Sequence, residues 1–224
     1  MSWKILPLLF VATALCLVSF CGCYDPTADS ADVGGGEAKD EHAVRVAESD
    51  ATFALDADNC DIKWTGSNTL GMTPHGFFYE LTGTVLVDGD SKDLKHFEVD
   101  IVMGSVKAMN EALTEKLKNH GFFEVEKFPK STFVATDIQA VSDPDDEKHT
   151  HVIEGNFQLR DVTQSIRIPV SFVYDDEKKM VQLTSEFKLN RKDYGVIYSN
   201  ATEDLAIRDD VLINIDIESE TIAE

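Results

Sequence analysis

From Thr52 onward, apolar and polar side chains alternate with a period of two, the spacing of strands that bury one face. Phe97, Val99, Ile101 and Met103 alternate with Glu98 and Asp100. Ile166, Ile168, Val170, Phe172 and Tyr174 share one face of another run, and Val181, Leu183, Phe187 and Leu189 share a face of the next. The last run sets Val211, Ile213, Ile215 and Ile217 against Asn214, Asp216 and Glu218. Shorter strands are predicted at Ile62–Trp64, Thr132–Val141 and around Ile153, Phe157 and Leu159. One long strand is predicted over Gly76–Val87, with Tyr79, Leu81, Val85 and Val87 together on a face. Polar turns at Asp56–Asn59, Asp143–Asp146 and Asp175–Lys179 separate these runs.

One stretch departs from this rhythm. Leu113 and Leu117 lie one helical turn apart, with Glu and Lys on the other faces, and Gly121 ends the pattern. Phe122 and Phe123 follow, then Phe128. Pro129 excludes helix and holds Phe128 extended. This aromatic hinge needs an apolar surface to cover, and the end of a sheet or barrel supplies one.

The pattern predicts an all-β domain of about eight strands with one short mid-chain helix covering an end. Closing an antiparallel sheet into a barrel removes the unpaired edges that an open sheet exposes. Two packed sheets satisfy the same pattern. A barrel of about eight strands is either filled by side chains or holds one slender ligand. Strand parity turns Trp64, Phe97, Ile101, Phe133, Phe157, Ile168, Phe172 and Phe187 inward, and the hinge adds Phe122 and Phe123. The same ten residues would serve equally as plain core.

Composition adds an address and removes several functions. Forty-one acidic against twenty basic residues give a net charge of −21, which disfavours nucleic acid and anionic membrane surfaces. The acids are scattered and serve solubility. Ile5–Phe20 is an apolar run too short for a comfortable membrane span, behind a single Lys4. Gly22-Cys23 then fits lipoprotein processing, although Phe20 stands where a leucine is usual. The expected organisation is a signal segment over 1–22, lipidation of Cys23, a flexible acidic tether over 23–50, a domain over 51–220 and a tail over 221–224. Gly34-Gly35-Gly36 has no preceding strand and no following Lys-Ser/Thr, so it is no phosphate loop.

Cys16, Cys21 and Cys23 belong to the export segment, which leaves Cys60 alone in the domain and rules out an intradomain disulfide. No basic cluster or helix N-terminus near Cys60 would activate its thiol, so it is expected to pack. Of the histidines, His149 and His151 have a spacing that metals use, and are expected as an exposed pair beside the acidic turn. No Gly-x-Ser-x-Gly, His-Glu-x-x-His or phosphate-loop pattern occurs. Arg191 and Asp193 are expected to form an ion pair fixing the turn before the last strand, with a polar anchor in the barrel mouth as the alternative. No enzyme activity and no cofactor are expected.

Several stretches, in order, carry a family resemblance. They are Ile62-Lys63-Trp64-Thr65-Gly66, His75-Gly76, Leu117-Lys118-Asn119-His120-Gly121-Phe122-Phe123-Glu124-Val125, Phe128-Pro129, Gly155-Asn156-Phe157-Gln158-Leu159 before Val162-Thr163, and Asn190-Arg191-Lys192-Asp193-Tyr194-Gly195-Val196. Over roughly Thr52–Ser219 the chain resembles the YceI-like lipid/polyisoprenoid-binding family. Asn59-Cys60 stands where many members have His-Ser, Asn68 falls near another common histidine, and Asp161 replaces a common glycine. The resemblance implies an extended, lipocalin-like antiparallel barrel whose apolar pocket takes an isoprenoid or similar long-chain amphiphile. The expected protein is then a carrier in the cell envelope, joined to the membrane through Cys23. Its rivals are an envelope interaction module with a filled barrel, and a hydrolase or redox accessory using His149, His151 or Cys60.

Overall fold

A computed structural model describes residues 25–141, 148–198 and 204–221. The expected signal segment, Cys23, the acidic turn at 143–146 and all of the tail beyond Thr221 lie outside the described residues. Among the described residues twelve strands are formed: β1 (Ala31–Asp32), β2 (Ala51–Leu55), β3 (Cys60–Thr65), β4 (His75–Phe78), β5 (Leu81–Val87), β6 (Leu94–Val102), β7 (Val106–Ala108), β8 (Lys130–Ala140), β9 (His151–Leu159), β10 (Val162–Asp175), β11 (Met180–Asn190) and β12 (Asp210–Glu220). The helix α1 spans Glu111–Lys118.

Three pairs of these strands are halves of longer ones. β5 pairs with β2 and β6, while β4 pairs with β3 and β7, all antiparallel. Thus β2–β3, β4–β5 and β6–β7 run side by side as three broken strands. With β8 to β12 they make an eight-stranded meander, and β12 closes it by pairing with β3, Ile213 opposite Trp64 and Ile215 opposite Ile62. The strand expected over Gly76–Val87 is therefore interrupted. Between the pairs Leu81–Ile101 and Phe78–Val106 the facing strand carries extra residues, folded into a 3₁₀ turn at Met103–Ser105. The wall bends there, as at a bulge. Tyr79 consequently faces solvent at 50% exposure and does not share the buried face of Leu81.

The two ends of the barrel differ. At the end carrying the turns at 88–93 and 176–179, the interior is packed by Phe53, Val85, Ile153, Val170, Leu183 and Ile217, all essentially inaccessible. The other end gathers the β3–β4 loop, α1 and its aromatic exit, and the long β11–β12 connection. Asn110 starts α1 by accepting the Leu113 N–H at 2.9 Å, and the Thr114 hydroxyl ties the helix to β7 through the Ala108 N–H at 2.9 Å. Gly121, at φ +129°, turns the chain in a conformation that side chains rarely adopt and delivers Phe122 and Phe123 beneath the helix.

The stretch read as a tether follows the barrel wall over much of its length. β10 pairs with β9 as far as Val170 but with β11 only from Ser171 on, just past Pro169, which has no N–H to offer a neighbour. The two strands splay beyond that point. β1 pairs in parallel with Phe187 and Lys188 of β11, and Gly36 exchanges hydrogen bonds of 2.9 and 3.0 Å with Ser165 of β10. Val33 is buried between them, and Lys39 reaches Glu154 at 2.6 Å. The segment is held because it satisfies two strand edges that the splay would expose.

Hydrogen exchange tests this seam. The Gly36, Ser165 and Arg167 amides should exchange with protection comparable to neighbouring strand amides. Exchange of Gly36 at the rate of an unstructured peptide would show that the segment is free.

Candidate functional site

A cavity of about 810 Å³ occupies the helical half of the barrel. This lies within the roughly 300–1,000 Å³ of small-molecule sites. Its walls come from inward-facing positions of six long strands: Trp64, Phe97, Ile101, Phe133, Phe157, Ile168 and Phe187 all line it. Leu113 and Leu117 of α1 and the rings of Phe122 and Phe123 complete the upper part. It opens between the β3–β4 loop and the start of α1, where Met72, His75, Met109 and Asn110 are both exposed and part of the lining.

Of the ten residues singled out from the sequence, nine therefore surround one space. Phe172 does not. It sits in the packed half, its ring 5.8 Å from that of His151 and edge-on to it. Parity gave its inward direction correctly, but the depth along the strand decides between cavity and core. Phe128, the third ring of the hinge, also lies elsewhere, outside the lid between the Lys127 ammonium and the Arg160 guanidinium. The rings that do form the lid are clamped: Phe122 packs on Tyr198 at 5.1 Å and Phe123 on Phe78 at 6.1 Å. Gly155 makes room for Phe133, since a Cβ there would press into that ring and stand 2.6 Å from Val134 O.

Periodicity missed the cavity's polar features. Trp64 Nε1, Ser67 Oγ and Tyr194 OH belong to lining residues, are buried, and have no hydrogen-bond partner among the described residues. Burial raises the Tyr194 phenol well above its ordinary pKa, so it remains a neutral donor or acceptor. The signal available in the sequence was a Trp and a Tyr among inward-facing aliphatics, whose polar atoms need partners when buried.

Arg191 is not paired with Asp193, which is exposed. The expected ion pair has other partners: Arg191 bonds Asp204 at 2.7 Å and Asp209 at 3.1 Å, and donates to the carbonyls of Val196, Ile207 and Arg208. These lie further along the same connection, too distant in sequence for local reading. The guanidinium thereby knits the β11–β12 connection at the cavity's edge, and its charge is answered within the protein. Burial disfavours the Asp204 carboxylate, but the Arg191 bond, the Tyr198 N–H and the charges of Arg191 and Lys192 outweigh it and hold its pKa below the ordinary value.

The remaining candidates for chemistry do not line the cavity. Cys60 is buried, and burial, with Asp61, Asp216 and Asp56 nearby, pushes its thiol up to about 12. His151 is buried rather than exposed: Nδ1 lies 2.8 Å from Thr150 Oγ1 and Nε2 lies 2.8 Å from Asp93 Oδ1. Strand parity turns it inward at the closed end. Among the described residues no three of His, Cys, Asp and Glu are grouped to hold a metal. Asn59 caps the β2–β3 turn by donating to Ala54 O at 3.0 Å, and Asn68 builds the β3–β4 loop by accepting from the Leu70 and Met72 N–H groups.

The family model described as the YceI-like domain matches residues 53–219. The solved structure of Burkholderia cenocepacia BcnA is similar at a TM-score of 0.64 and 14% identity, covering 73% of this chain and 98% of that one. A Campylobacter jejuni YCEI protein is similar at 0.55 and 22%, covering 66% and 85%. A polyisoprenoid binding domain from Saccharophagus degradans, implicated in plant cell wall breakdown, is similar at 0.54 and 12%, covering 77% and 99%. No curated protein matches the sequence.

Two measurements probe the site's frame. Asp204→Ala leaves Arg191 buried beside a lost partner and should cost about 3–5 kcal/mol in urea unfolding. Because the folded Asp204 pKa is depressed, its stabilisation is complete above the unfolded value near ~4 and is lost as pH falls through the folded value. The wild type should therefore lose stability below about pH 4 more steeply than Asp204→Asn. Separately, peptide mapping after a thiol reagent at pH 8 should leave Cys60 unmodified until the protein is unfolded; labelling of the native domain would contradict its burial.

Proposed function

The chain belongs to the YceI-like family, and from that premise we propose that it is a binding and carrier protein for an isoprenoid or similar long-chain amphiphilic lipid. The observation that carries the reading is the cavity itself. It is enclosed by the barrel wall and lined mainly by aliphatic and aromatic side chains. Burying each methylene there contributes about 0.8 kcal/mol, so a long chain binds with few polar contacts. The chain lies among Phe97, Phe133, Phe157, Ile168 and Phe187, and its polar end rests at the rim near Asn68, Asn110 and Lys116.

The Saccharophagus relative is titled as a polyisoprenoid binding domain, which supports this ligand class. Carriage requires no chemistry, and the reading is non-enzymatic. Export directed by residues 1–22 and lipidation at Cys23 would hold the carrier at a membrane of the cell envelope, where such lipids reside. The apolar run Ile5–Phe20 and the following Gly22-Cys23 support that placement.

Solvent extraction of the purified protein followed by mass spectrometry should release a long-chain lipid, and an isoprenoid fluorophore should compete with it. Repeated preparations without lipid, together with no fluorophore binding, would refute the reading. Ile168→Trp should occupy the space of about two methylenes and weaken fluorophore binding roughly tenfold, as about 1.6 kcal/mol of burial is lost. Phe172→Leu, in the packed half, should leave affinity unchanged.

A further inference from the structure

The cavity mouth is ringed by side chains that do not behave like the rest of this surface. Among the described residues, Leu70, Met72, Met109, Ile197 and Leu205 are large hydrophobics more than half exposed, with Leu70 and Leu205 each at 78%. The only others so exposed are Val46, Tyr79 and Val173. Leu70, Met72, Met109 and Leu205 form one rim. Asn68 bridges to Ile207, and Thr69 N–H donates to Ala206 O at 2.9 Å, which sets Leu70 beside Leu205. Met72 and Met109 line the opening, and Ile197 follows Val196 of the lining.

A second, independent feature points to the same rim. The N-terminal segment reaches the β11–β12 connection after leaving the wall: Asp25 pairs with Arg208 at 3.0 Å, and Thr27 is buried in a polar niche shared with Thr69, Ile207 and Arg208. Arg208 in turn donates its N–H to Ser67 O at 2.9 Å. Cys23 lies two residues before Asp25, so at most about 7 Å of chain separates it from this contact. The apolar run Ile5–Phe20 precedes it.

We propose that the rim is a membrane-docking surface, with the barrel held mouth-down on the bilayer by an attachment at its own lip. The occupant is the surface of a bilayer of zwitterionic lipids. Rim charges are mixed, with Lys192 and Arg208 among Asp204 and Asp209, and the chain's net charge of −21 opposes an anionic surface. Seated this way, Leu70, Met72, Met109 and Leu205 enter the headgroup region, and a lipid passes from bilayer to cavity without crossing water. The proposal rests on the carrier reading and on attachment at Cys23.

The test uses the mature protein, lipidated at Cys23, in phosphatidylcholine–phosphatidylethanolamine vesicles containing a phospholipid with a diazirine in its acyl chain. After irradiation, adducts are mapped by mass spectrometry. Adducts should fall on the peptides of Leu70, Met72 and Leu205 and spare Val173 and the 176–179 turn. The L70D/L205D double variant, which changes no cavity-lining residue, should lose rim adducts at least fivefold while vesicle attachment through Cys23 and fluorophore binding persist. Vesicle-attached protein without rim adducts, or adducts equal on the rim and the 176–179 turn, overturn the proposal. So does a dimer in sedimentation that L70D/L205D dissociates, since a second copy then covers the rim. Rim adducts without fluorophore binding uphold docking and remove the carrier reading; fluorophore binding without rim adducts does the reverse.

Discussion

Closure of the backbone hydrogen-bond ring between β12 and β3 is the constraint on which the rest depends. A barrel that keeps space in half of its interior forgoes the packing that would otherwise fix its strands, because wall residues facing a cavity lose dispersion contacts on that side. The wall must then be held by its own ladders and by the packed half. Here both are present. Ile217, Leu183 and Val85 fill the closed end completely, and the pairing Ile62–Ile215 continues the ring past the level at which the cavity begins. The bend at Met103–Ser105 lets β4–β5 and β6–β7 curve around that level without leaving the ring.

Two weak places in the wall are managed by different means. The splay after Pro169 is filled by backbone from the N-terminal segment, and Ser185 Oγ donates to Pro169 O at 2.6 Å, using a carbonyl left without a strand partner there. In the β11–β12 connection Arg191 gathers carbonyls and two carboxylates on a single planar group. The N-terminal segment links the two repairs. It lies in the splay at Val33 and against the connection at Asp25, so one element seals the wall and meets the mouth.

How much of this was legible in the sequence follows from the range of the interactions involved. Period-two alternation is local, and it located the long strands, their inward faces and the all-β class. The helix was legible because Leu113 and Leu117 and the terminating Gly121 are close together. Depth along the barrel is not local, which is why Phe172 could not be separated from Ile168, its neighbour on the same face. The interruption at Tyr79 was hidden because its cause is an excess of residues in the facing strand. Residues 25–41 looked like a tether because Gly, Asp and Ala form no pattern of their own; what orders them is the edge left open by a proline more than a hundred residues away. The same distance hid the partners of Arg191.

Affinity and discrimination have separate sources in such a cavity. Apolar burial grows with chain length and says little about chemistry, so hydrocarbon walls alone rank ligands by size and fit. Buried polar atoms without partners are different, since each costs on the order of 1–3 kcal/mol until something satisfies it. Trp64 Nε1 can only donate, while the Tyr194 and Ser67 hydroxyls donate or accept. A chain that brings an oxygen within reach of one of them recovers that cost, and a pure hydrocarbon of equal length does not. Arg191, whose charge Asp204 and Asp209 already meet, adds no comparable demand for an anion. In a carrier of the proposed kind the wall would therefore set how tightly a chain of given length is held, and these three neutral polar groups which chains of that length are preferred.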